Sequence, residues 1–159
     1  MRLSTALLPL TLAVLAACGG STDAESDPFK LMQAGNYEAA ITAAESQLAT
    51  VEKGTPEHKD LVVKNASALS NDSAEKAKAA FLGFAAEFGN AVEPTDIKFV
   101  VAQLRKHKKL SDAIDVMDAG KKRWPGDKTM DDVVDALKQD IATSGDDAAA
   151  QKMKGLGYV

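Results

Sequence analysis

Cys18 is the residue whose chemistry the sequence defines best, because it is the only cysteine among 159 residues. A thiolate is a strong nucleophile, so its surroundings determine which covalent reaction it undergoes. Cys18 follows an apolar run at residues 6–17, which only Pro9 and Thr11 interrupt and which one positive side chain, Arg2, precedes. Such a run is too short to cross about 30 Å of hydrocarbon as a helix, so it is typical of a signal-peptide core.

Leu15, Ala16, Ala17 and Cys18 resemble the lipobox of bacterial lipoproteins, a motif placed directly after the signal-peptide core. The resemblance implies a diacylglyceryl thioether on Cys18, cleavage before this residue, and acylation of the new amino group. The chain would then carry two or more acyl chains such as palmitate, which anchor a protein stably where one chain does not. The rival interpretation is ordinary secretion, with cleavage after Gly19 or with Cys18 left as a free thiol.

The lipobox divides the chain into a removed signal peptide at 1–17, a lipidated flexible tether at 18–27, and a helical domain at 28–159. The tether is small, polar and acidic, without hydrophobic periodicity. In many lipoproteins an aspartate after the lipidated cysteine retains the protein in the inner membrane. Gly19 stands there instead, so the resemblance favours the periplasmic face of the outer membrane over the inner membrane.

The composition predicts an all-α domain and argues against nucleic-acid binding. There are 23 acidic and 19 basic residues, and a negative balance does not suit a phosphate backbone. Pro28, Pro56 and a cap at Thr129 mark helix starts, and residues 71–72 suggest a tight turn. We therefore predict eight helices joined by short loops, at about 28–34, 37–52, 56–70, 73–88, 94–108, 111–124, 130–143 and 146–154.

An internal repeat suggests how these helices pack. Residues 34–41 resemble the turn and second-helix start of a tetratricopeptide repeat (TPR), and residues 110–120 match it again, with Pro125 as the closing proline. The small residues Ala40, Ala77 and Ala113 are spaced by 37 and 36 positions. Ala44, Phe81 and Met117 follow one turn later in the same register, and the last two are large.

The resemblance implies antiparallel helical hairpins stacked as about three TPR-like repeats, with the helix at 130–143 as a C-terminal cap. The spacing exceeds the family period of about 34 residues, so each unit would carry extra loop residues. The alternative is an irregular α-helical bundle whose helix spacing happens to be regular.

Few other residues suggest chemistry. His58 and His107 lack metal-ligand spacing, so we expect solvated surface residues and no metal site. The row Asp112, Asp115 and Asp118 is likewise interpreted as solvated helix surface, and Trp124 as packing over a helix end. We predict no catalytic residue, no cofactor apart from the lipid on Cys18, and no small-molecule substrate.

Two basic runs, at 105–109 and 121–123, end predicted helices, where the helix dipole favours cations. The alternative is a ligand-binding role. In TPR proteins the first helix of each hairpin lines a concave groove, and the matching positions here include Lys98, Arg105 and Lys106. A groove of that charge would favour an acidic or carboxylate-ended peptide.

Together these features predict a membrane-anchored lipoprotein of the cell envelope that acts as a non-catalytic protein–protein interaction module or assembly factor. Its partner would be an envelope protein, and the lipid would be its contact with the membrane. The alternative is an envelope lipoprotein whose closed helical bundle binds a small or lipidic ligand.

Overall fold

The computed structural model describes residues 26–159; Cys18, the predicted signal peptide and most of the predicted tether lie outside the described residues. Within that range the chain forms helices and no strands, which confirms the predicted all-α class. The helices are α1 (Pro28–Gln33), α2 (Tyr37–Leu48), α3 (Pro56–Asp72), α4 (Ala74–Glu87), α5 (Pro94–Lys106), α6 (Leu110–Arg123), α7 (Lys128–Ser144) and α8 (Asp147–Gly155), with a 3₁₀ turn at Gly89–Ala91 before α5. No helix of this described part is long and apolar enough to cross a membrane.

Helix starts follow the local capping chemistry. The Asp27 carboxylate accepts a hydrogen bond from the Phe29 N–H at 2.9 Å, and the Thr55 hydroxyl accepts one from the His58 N–H at 3.2 Å. Proline occupies the first position of α1, α3 and α5, where its missing N–H leaves no intrahelical bond unmade.

Four predicted boundaries were wrong by two residues or more, among them the end of α5, which lies at Lys106 and not near residue 108. α7 starts at Lys128 and not at residue 130, because Asp127 is its cap and accepts the Met130 N–H at 3.1 Å. α3 continues to Asp72, so residues 71–72 are helical. The chain turns at Ser73, the single residue between α3 and α4. α2 ends at Leu48 rather than near residue 52.

The helices pack as successive hairpins. Each of the pairs α1–α2, α3–α4, α5–α6 and α7–α8 is in contact. The odd helices α1, α3, α5 and α7 also contact one another in chain order, as do α4, α6 and α8. The main core therefore runs along α3 to α8, and the first hairpin packs on α3 through a smaller cluster of Met32, Ala40 and Ala68.

The repeated positions are core positions. Ala40, Ala77 and Ala113 are fully buried, and so are the residues one turn later, Ala44, Phe81 and Met117. The apolar face of α7 also points inward, through Val133, Val134, Leu137 and Ile141. Small residues at the first positions allow close helix approach, and the large side chains of Phe81 and Met117 fill the space between hairpins.

Candidate functional site

The three cations predicted to bind a partner, Lys98, Arg105 and Lys106, all lie on α5 but have different surroundings. Lys98 and Lys106 of α5 are exposed. Arg105 between them is held by α7: its Nε lies 2.7 Å from Oδ2 of Asp140 and its Nη2 lies 3.1 Å from Oδ1. This two-pronged pair fixes the guanidinium in place and joins α5 to α7.

The second basic run is engaged within the domain. Lys121 pairs with Asp131, and Lys122 pairs with Asp118 at 2.7 Å. The guanidinium of Arg123 lies 5.0 Å from the ring centroid of Trp124, which is partly buried against the core at the C-terminal end of α6. The predicted packing of Trp124 over a helix end is confirmed.

The aspartate row of α6 is not solvated surface, contrary to the prediction. Lys78 of α4 lies 2.7 Å from Asp112 and 2.9 Å from Asp115, and Lys152 of α8 lies 2.6 Å from Asp115. Burial opposes the charge of Asp115, but the hydrogen bonds from Lys152 and Lys78 outweigh it and lower its pKa. The row therefore connects α4, α6 and α8.

Both histidines depart from the predicted solvated state. His58 is only 8% exposed; its Nδ1 accepts the Gly54 N–H at 2.9 Å, and its ring packs edge-on against Phe84 and Phe88. His107 is half-buried, and its Nε2 has no hydrogen-bond partner among the described residues. Burial, and after it the charges of Lys106 and Lys109, lower its pKa. In the described range no group of three His, Cys, Asp or Glu residues is placed to hold a metal ion.

A surface groove that the sequence did not single out lies between α2 and α4. Both helices pack on α3, whose buried Asn65 and Leu69 form the floor of the gap between them. We call this the α2–α4 groove; it is open to solvent and has a volume of about 530 Å³. Its lining comprises Glu38, Ile41, Thr42 and Glu45 of α2, Asn65, Leu69 and Asp72 of α3, and Lys76, Ala79 and Ala80 of α4.

The α2–α4 groove carries unbalanced negative charge. Glu38, Glu45 and Asp72 are exposed, and none forms an ion pair with a described residue. Lys76 supplies one positive charge in the lining. The acidic row of α6, in contrast, is neutralised by lysines of the same domain.

Asn65 is the other unusual feature of the groove. It is only 7% exposed, and its Oδ1 has no hydrogen-bond partner within the described chain. A buried polar atom without a partner is uncommon, because the desolvation of that atom is not compensated. The available signal was one asparagine in the largely apolar stretch 61–69 of α3, whose other polar residues are Lys64 and Ser67.

No protein-family model matches the chain, and no curated protein or solved structure matches it either. The function of the chain therefore has to follow from its own residues and contacts.

Proposed function

We propose that the chain is a lipid-anchored lipoprotein of the bacterial cell envelope whose TPR-like helical domain is a non-catalytic protein–protein interaction module. The observation that supports this proposal most is the order of helix contacts. Hairpin follows hairpin, with α1, α3, α5 and α7 in contact in chain order and α4, α6 and α8 likewise, as in a repeat stack.

The repeated core positions are a second support. Ala40, Ala77 and Ala113 occupy equivalent places in α2, α4 and α6, and all are fully buried. Equivalent residues in successive second helices are what a repeat array requires, because each unit buries its apolar face against the next one. An array of this kind presents an extended surface, which suits a macromolecular partner.

The anchor is the other half of the proposal. A single cysteine directly after an apolar segment and two alanines fits lipidation of Cys18, and Gly19 favours the periplasmic face of the outer membrane. Lipidation would keep the domain at the membrane surface, where its partner would be a protein of the same compartment.

The open α2–α4 groove favours this function over a closed carrier of a small or lipidic ligand. Such a carrier would need an enclosed, mostly apolar cavity, since pockets of that type bury most of the ligand surface. The groove is open and has exposed carboxylates along its walls.

Affinity capture from envelope membranes, read by mass spectrometry, tests the function. We expect the anchored protein to recover a discrete protein partner, and a Cys18→Ser variant to lose both fatty-acid labelling and membrane association. Capture of no discrete partner by the anchored protein would contradict the module, and persistent labelling of Cys18→Ser would contradict the anchor.

A further inference from the structure

We infer that the α2–α4 groove binds a basic segment of the partner protein in extended conformation. Lysine or arginine side chains of that segment would lie against Glu38, Glu45 and Asp72, and an apolar side chain would contact Ile41 and Leu69. This inference rests on the proposed interaction function and names the chemistry of its partner. It places binding on a different surface from Lys98 and Lys106, and with the opposite charge preference.

Charge complementarity is the first argument. Three exposed carboxylates surround one groove without a described cation paired to them, so a basic segment restores the balance found elsewhere in the domain. Each exposed ion pair is individually weak. Their combined effect is to select the partner and speed its association, while the apolar floor contributes burial.

The amide of Asn65 is the second, independent argument. Its oxygen is unpartnered at the floor of the groove. Rotation about the terminal side-chain torsion exchanges the oxygen and the nitrogen, so the amide can offer the groove an acceptor or a donor. A peptide group offers both in return, which makes the backbone of an extended segment a matching ligand.

The dimensions of the α2–α4 groove favour a polypeptide segment over a small molecule as its ligand. Glu38 and Glu45 are seven residues apart on α2, which at the helical rise is a distance of about 10 Å. That length accommodates about three residues of extended chain. A small ligand normally has most of its surface enclosed, whereas a segment in an open groove can continue beyond both ends.

Substitution of Lys76 should change binding in the opposite direction from substitution of the groove carboxylates. Lys76 lines the same groove and would repel a basic segment. Replacing Lys76 with glutamine should therefore strengthen binding, while replacing the carboxylates with amides should weaken it.

A displayed library of random short peptides, selected on the purified full-length protein, tests the inference. We expect the selected peptides to be enriched in lysine and arginine. A combined Glu38→Gln, Glu45→Gln, Asp72→Asn variant should bind them about tenfold more weakly, as expected for the loss of three exposed ion pairs. Asn65→Leu should also bind more weakly while its melting temperature rises, a combination that misfolding cannot produce.

The matched control is a combined Glu52→Gln, Glu57→Gln, Glu75→Gln variant. These carboxylates are exposed and unpaired among the described residues but lie outside the groove, so the net charge changes equally. Equal loss of binding in both variants, no basic enrichment, or no selected peptide would overturn the inference. If a protein partner is still captured after the three groove carboxylates are neutralised, the groove is not the binding site. The proposed interaction function would not be contradicted by that result.

Discussion

At the scale of single residues, Asn65 combines burial with an unpartnered oxygen. An uncompensated buried polar group costs about 1–3 kcal/mol. Leucine has the same number of side-chain heavy atoms as asparagine and a higher helix propensity. We therefore expect Asn65→Leu to raise the free energy of unfolding by about 1–2 kcal/mol, measured by urea denaturation.

The control for this substitution is Asn71→Leu on the same helix. Asn71 is exposed, so its replacement should gain only the helix-propensity difference of about 0.5 kcal/mol. Equal gains from Asn65→Leu and Asn71→Leu would show that burial of the Asn65 amide carries no cost.

Tyr158, near the C-terminus, should make the stability of the domain depend on pH. Burial, and after it the hydrogen bond from its hydroxyl to Asp118 at 2.9 Å, raise the pKa of Tyr158 from 10.0 to about 12. Because the folded state favours the protonated phenol, this contribution to stability is complete below pH 10.0 and is lost as the pH rises through about 12.

An absorbance titration of tyrosinate measures this shift. We expect one transition near pH 12 that Tyr158→Phe removes. Asp118→Asn should lower the pKa only in part, since burial is the larger cause. If Tyr158→Phe removed a transition at the ordinary pKa of tyrosine instead, the contact between Tyr158 and Asp118 would not exist in solution.

Partners distant in sequence explain why the residue-level predictions were only partly correct. Lys78 precedes Asp115 by 37 positions, and Lys152 follows it by a similar interval. No local pattern around Asp115 indicates that these lysines neutralise it. Trp124, whose packing depends on its own helix end, was predicted correctly.

At the scale of elements, Gly120 is a point where α6 approaches both α5 and α7 closely. A Cβ there would lie 2.6 Å from Sδ of Met130 in α7 and 3.0 Å from Cγ2 of Ile97 in α5. We expect Gly120→Ala to destabilise the domain by about 1–2 kcal/mol, because the overpacking exceeds the gain in helix propensity. Thermal unfolding monitored by circular dichroism measures the change.

Gly83 of α4 is the matched control. It is exposed, and a Cβ there would meet no atom within 4 Å. Gly83→Ala should therefore stabilise the domain by about 1 kcal/mol through helix propensity alone. Stabilisation by both substitutions would contradict the close packing of α5, α6 and α7 around Gly120.

Helix positions were predictable where one signal dominates. Pro56 after Thr55 fixed the start of α3, and Pro94 fixed that of α5. Asp127 and Thr129 are both capping residues two positions apart, so the sequence alone did not decide the start of α7. Ser73 both ends α3 and caps α4, accepting the Lys76 N–H at 3.4 Å, which makes a separate turn at 71–72 unnecessary.

At the scale of the whole molecule, the all-α class followed from the composition and the helix-start signals, and the register of the buried positions followed from the internal repeat. The α2–α4 groove could not be predicted from the sequence, because it depends on how α2 and α4 diverge where both pack on α3. Its carboxylates come from α2 and from the end of α3, and they become one site only after α2 has packed on α3. The balance between paired and unpaired charges is likewise visible only in the folded chain.

The most direct test of the account is photo-crosslinking in living cells from the anchored protein. A photoreactive residue at Thr42, inside the α2–α4 groove, should give a discrete adduct with one envelope protein. Neutralising Glu38, Glu45 and Asp72 should strongly reduce the yield of that adduct. The same residue at Lys128, on exposed surface of α7, should give none. Absence of a discrete adduct at both positions would contradict a tethered interaction module, and an adduct at Lys128 alone would place the partner elsewhere than the groove.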